Sequence, residues 1–144
     1  DVGGTARARA LGKMLNIDLA IIDKRRPKPG KSEVMNVIGK VNNKTCIIVD
    51  DIIDSGGTIV NAAKALKSNG AKDVHVYCSH GVLSGNAVEK IKNSKVKNLV
   101  ITDTIDNINK VKKAKNIEIL TISQLVGEAI KRISNSTSVS DLFN

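Results

Sequence analysis

Short apolar runs alternate along the chain with longer stretches of helical period. Residues 19–22, 45–49, 74–78, 99–101 and 117–122 are rich in β-branched side chains and apolar at successive positions. Such runs predict strands buried on both faces, as in a parallel sheet covered by helices. A run over 34–41 predicts a further strand of less regular type. Between the runs, Ile59, Ala62, Ala63 and Leu66 recur at helical spacing within 58–69, and Gly70 closes that segment. Val88 and Ile91 mark a shorter helix after Ser84 and Gly85. Leu125, Val126, Ala129, Ile130 and Ile133 form an apolar stripe on a late helix, with Ser123 as its expected N-cap. Residues 5–15, rich in Ala and Arg, predict a first helix. This alternation predicts an α/β fold, a doubly wound, mostly parallel sheet flanked by helices. The polar tail over 134–144 is expected to order only against a partner surface.

The length of 144 residues fits one domain able to bury a core without disulfides. No apolar run reaches the roughly 18 residues of a membrane span, and no signal peptide is visible. No membrane partner is therefore expected, and the expected setting is cytoplasmic. Cys46 and Cys78 lie in strand-like runs and read as buried free thiols. The chain opens on Asp1 rather than Met, inside an apparent motif, and so reads as trimmed.

The net charge of +9 points to anionic partners. Tyr77 and Phe143 are the only aromatic residues, so the chain offers no platform for stacked bases, and no nucleic-acid partner is expected. A phosphorylated small molecule is the better fit.

The stretch TCIIVDDIIDSGGTI, residues 45–59, carries the chemistry. An apolar strand runs into Asp50 and Asp51, and Asp54 then leads into Ser55, Gly56, Gly57 and Thr58. In parallel α/β sheets, ligands bind at the carboxyl ends of strands. Residues 55–58 fall at the start of the following helix, where free amide groups and the dipole favour a phosphate. Glycines let the backbone come close, and the Ser55 and Thr58 hydroxyls can donate. The carboxylates would repel a phosphate, but they accept hydrogen bonds from sugar hydroxyls and can also hold magnesium. Phosphate at one end and vicinal hydroxyls at the other describe a pentose phosphate. A capped strand-to-helix turn is the plain alternative. A Walker A loop is excluded because no Lys follows the glycines.

VDDIIDSGGT resembles the phosphoribosyl-diphosphate loop of the type I phosphoribosyltransferase fold. Within that fold the chain resembles the ribose-phosphate diphosphokinase (phosphoribosyl-pyrophosphate synthetase) family. The likeness runs through DVGGTARARALGKML, IIDKRRPKP, SHGVLSGNAVEKI and EAIKRISNSTSVSDLF. It implies a single phosphoribosyltransferase-like domain over 1–144, equivalent to the C-terminal half of the family's chain, whose N-terminal half supplies much of the ATP site.

The resemblance also implies residue roles. Residues 23–31, DKRRPKPGK, read from composition as an exposed basic loop. By position in the family motif, Lys24 is catalytic, and Arg26 is catalytic and contacts the reacting groups. Asp50, Asp51, Asp54, Ser55, Gly56, Gly57 and Thr58 bind ribose 5-phosphate. Asp1 binds the magnesium of MgATP. Ser138, Ser140 and Phe143 match a C-terminal effector motif, from which Asp141 departs. ATP and ribose 5-phosphate are the implied substrates, and a homo-oligomer, a hexamer, the implied assembly. His75 reads as structural, and His80, at a strand end, is left without a role. The rival readings are a phosphoribosyltransferase, a non-catalytic regulatory homologue and a basic nucleic-acid-binding module.

Overall fold

The computed structural model describes residues 2–25 and 34–143. Helix α1 spans Val2–Leu15 and ends where Asn16 turns to a positive φ and the Ile17 amide bonds the Gly12 carbonyl at 2.9 Å. Strands β1 (Ile21–Arg25) and β2 (Val34–Ile38) follow, then β3 (Thr45–Ile53), α2 (Gly57–Ser68) and β4 (Asp73–Gly81). The chain continues through α3 (Ala87–Lys92), β5 (Asn98–Thr102), α4 (Ile108–Val111), β6 (Ile117–Leu120) and α5 (Ser123–Ser134). A short 3-10 turn, Ser140–Phe143, closes it.

The fold is α/β. Strands β3, β4, β5 and β6 form a four-stranded parallel sheet in that order, with helices packed against it. The core lies between the sheet and α2 and α3. Val74, Val76, Leu99 and Ile101 from the strands are fully buried with Ala63 and Ile91 from the helices. The buried set Ile59, Ala62, Ala63 and Leu66 on α2 is the one its spacing predicted.

Several expectations are corrected. The first apolar run does not join the parallel sheet. Its strand β1 pairs antiparallel with β2, Ile21 opposite Ile38, in a separate two-stranded sheet. Strand β3 does not stop before Asp50. It has a nine-residue partner in β4, and pairing continues to Ile53 opposite Gly81, so both carboxylates lie on the strand. Ser123 is not the N-cap of α5. That position is Ile122, whose amide bonds the Asp103 carboxylate at 3.0 Å. Helix α5 forms as its apolar stripe predicted, and it has no buried residue. The tail does not wait for a partner to order it, because Arg132 donates from Nη1 to the Ser138 carbonyl at 2.9 Å and the chain folds back on α5. No helix among the described residues is long and apolar enough to cross a membrane.

Candidate functional site

Asp50 and Asp51 sit at the carboxyl end of β3, followed by a connection at 54–56 and the first turn of α2. Gly56 is the N-cap of α2, with φ +74°, and no side-chain cap bond is made there. The first-turn amides of α2 are thus left to a ligand or solvent. Only glycine suits this position. Its backbone is left-handed, and a Cβ would lie 3.2 Å from Ile91 Cδ1 on α3. Ser55 and Thr58 are exposed, as an anion-binding loop requires.

The two carboxylates differ. The Asp51 amide donates to Asp50 Oδ1 at 2.9 Å. Burial pushes the Asp50 carboxyl above its ordinary range. A hydrogen bond from Asp50, with the Arg7 charge, holds Asp51 below it. Arg7 on α1 reaches Asp51 at 3.2 Å. Asp51 is therefore the stronger acid of the two and the better acceptor for a hydroxyl.

The loop is braced from behind. The Leu83 and Ser84 amides donate to the Ile53 and Asp54 carbonyls, each at 3.1 Å, and Lys90 Nζ lies 3.4 Å from the Ser55 carbonyl. In front, a cavity of about 750 Å³ is lined by Asp50 and Thr58 together with Thr5, Ile22, Met35 and Ile48. Arg7 and Lys90 were not singled out by sequence. Arg7 falls inside the quoted DVGGTARARA motif, but nothing in its spacing announces an ion pair with β3.

The structure brings Asp50, Asp51, Asp54, Ser55, Gly56, Gly57 and Thr58 together on one strand-to-helix connection. Lys24 lies in β1, opposite Met35. Asp1 and Arg26, the other two expected site residues, fall outside the described residues. Ser138 and Ser140 are close, their hydroxyls 3.3 Å apart, but Ser138 donates to the Asp141 carboxylate at 2.9 Å. Phe143 is exposed nearby. Cys46 and Cys78 are free, as expected, but only Cys78 is buried and Cys46 is half-buried; burial pushes the Cys78 thiol up to about 11. His80 bonds Thr104 through Nδ1 at 2.9 Å.

No group of three or more His, Cys, Asp or Glu placed to hold a metal occurs among the described residues. Magnesium commonly binds through one or two carboxylates plus substrate phosphates. Asp50 and Asp51 could supply one or two carboxylate oxygens of the kind magnesium takes, but they do not form a site closed by protein alone.

The helix start without a side-chain cap, beside two strand-end acids, makes this an α/β domain whose exposed groups suit a phosphate and hydroxyls. A family model described as "Phosphoribosyl synthetase-associated domain" matches residues 4–144, and the chain belongs to that family. A ribose-phosphate pyrophosphokinase of Bradyrhizobium diazoefficiens is 60% identical over all of this chain and 45% of its own length. Its counterpart in Rhizobium meliloti is 57% identical over all of this chain and 46% of its own length. A solved phosphoribosylpyrophosphate synthetase from Mycobacterium smegmatis aligns with TM-score 0.77 at 32% identity, over 90% of this chain and 42% of that one. The chain thus spans a little under half the length of these relatives.

Proposed function

We propose that this chain binds ribose 5-phosphate and takes part in transferring the diphosphoryl group of MgATP to its anomeric hydroxyl, giving AMP and 5-phosphoribosyl 1-diphosphate for nucleotide biosynthesis. The observation that carries this reading is the placement of Asp50 and Asp51 immediately before the uncapped start of α2. The family match supports it.

In this reading the amides of 55–58 and the Ser55 and Thr58 hydroxyls hold the 5-phosphate. Asp51, ionised, accepts from a ribose hydroxyl, and Asp50 takes the neighbouring one. The anomeric oxygen then attacks the β-phosphorus of ATP, and AMP leaves. Phosphoryl transfer depends on positioning and charge neutralisation, which Lys24 and Arg26 would supply. Magnesium bound by Asp1 and the nucleotide would neutralise phosphate charge. Equivalence to the C-terminal half of the longer relatives as one domain, a hexameric assembly and a cytoplasmic setting belong to the same proposal. So does an effector site at Ser138, Ser140 and Phe143. There the Ser138 hydroxyl must leave Asp141 before it can serve an anion.

The test is phosphorus NMR of the full-length protein with ribose 5-phosphate and MgATP. AMP and phosphoribosyl diphosphate are expected together. Intact ATP, with added phosphoribosyl diphosphate consumed alongside a base, would move the assignment to a phosphoribosyltransferase. Neither reaction would favour a regulatory homologue.

A further inference from the structure

We infer that Asn107 and Lys110 are positioning residues for the anion-binding loop, acting through the turn that follows β4. The inference rests on the reading of that loop as a sugar-phosphate site. Three consecutive carbonyls of the turn face the start of α4. Asn107 Nδ2 donates to the Gly81 carbonyl at 2.6 Å, and Lys110 Nζ donates to the Val82 and Leu83 carbonyls at 3.1 and 3.3 Å. The same turn gives its Leu83 and Ser84 amides to the Ile53 and Asp54 carbonyls. The chain of contact therefore runs from α4 to the turn and from the turn to the backbone that launches residues 54–58.

The turn is not one the backbone would adopt unaided. Leu83 has φ +50° with its side chain fully buried, and a Cβ on Gly81 would lie 2.8 Å from Ile101 Cδ1. A conformation of that kind persists only when its surroundings hold it. Asn107 is 1% exposed, and its Oδ1 has no partner among the described residues. An amide that leaves an acceptor unsatisfied is a costly way to fill space, so its donor is what the position uses. Lys110 is itself exposed, yet it bonds inward to two carbonyls of the turn.

The experiment compares the unaltered full chain with Lys110→Met, Lys110→Arg and Asn107→Leu. Lys110→Met guards against a folding defect at buried Asn107. Hydrogen exchange is read at the Leu83 and Ser84 amides without ligand. Affinity is read at the 55–58 amides, first with inorganic phosphate and then with ribose 5-phosphate. Lys110→Met should speed exchange and weaken phosphate by roughly five- to tenfold, with unfolding midpoint unchanged and Lys110→Arg largely restored. Faster exchange with unchanged phosphate affinity would overturn the inference, as would no change in either. Phosphate binding without ribose 5-phosphate binding would overturn the substrate reading alone, because the phosphate series still judges the clamp. No binding of either ligand would overturn both.

Discussion

Residues 2–38 and the chain from Val41 onward are packed to different degrees. Every buried hydrophobic side chain among the described residues lies in the second region. In the first, Met14 is 77% exposed, and Leu15, Ile17, Ile21 and Ile38 are also open to solvent. Yet each region is assigned part of one site. Asp50, Asp51 and the loop at 54–58 stand on the packed sheet, whereas Lys24 stands on the lightly covered β1–β2 hairpin. Elements with few buried apolar contacts open at low free-energy cost. Under the proposed function this contrast would divide labour: the sugar phosphate would meet the packed sheet, and Lys24 would act from the lightly covered strand pair.

The largest effect that could break this contrast concerns stability. Ile101→Ala should cost about 2–5 kcal/mol in urea unfolding, as buried truncations do. Ile21→Ala, at 40% exposure, should cost less than about 1 kcal/mol. Equal losses would mean that the hairpin belongs to the same cooperative core.

Lys24→Ala should behave in the opposite way. We expect kcat to fall at least about 100-fold, as on loss of a preorganised electrostatic donor, while the unfolding midpoint stays put. A loss under about tenfold would remove Lys24 from the chemistry.

A finer comparison lies within the packed region. Gly56→Ala meets both a left-handed backbone and Ile91, whereas Gly85→Ala meets a left-handed backbone and nothing within 4 Å. Gly56→Ala should cost more than the backbone penalty of about 1–2 kcal/mol, and Gly85→Ala no more than it. If calorimetry gives equal costs, α3 is not what holds the loop.

The smallest effect is one of pH. Because the folded-state pKa of Asp50 is raised by burial, its contribution is favourable below the unfolded carboxylate pKa and is lost as pH rises through the folded value. Asp50→Asn should therefore raise the thermal midpoint at neutral pH, and the gain should fade in acid while ribose 5-phosphate affinity is lost. A gain that persists unchanged in acid would contradict the raised pKa.

The site was legible where composition alone forces a conformation. An apolar strand, paired acids and a glycine-rich helix start admit few arrangements, and residues 54–58 form the strand-to-helix connection that the stretch predicts. Partners across space were less legible. The apolar run at 19–22 marks a strand but not its mate, so the antiparallel pairing of β1 with β2 was missed. Two acids looked like a strand end, although β4 is long enough to carry the ladder past them. Helix α4 is a single short turn and leaves no periodic trace. Arg7 and Asn107 act through contacts distant in sequence, on Asp51 and Gly81, and local pattern contains no record of such pairs.

Leu83 also bears on how this turn can change over generations. Its backbone would favour glycine or asparagine, while the pocket around its side chain favours leucine. Glycine there relaxes the main chain and empties the pocket, and a β-branched residue fills the pocket and worsens the main chain. Each single replacement thus trades one defect for another. Drift at this position is confined until another residue of the same buried cluster changes with it.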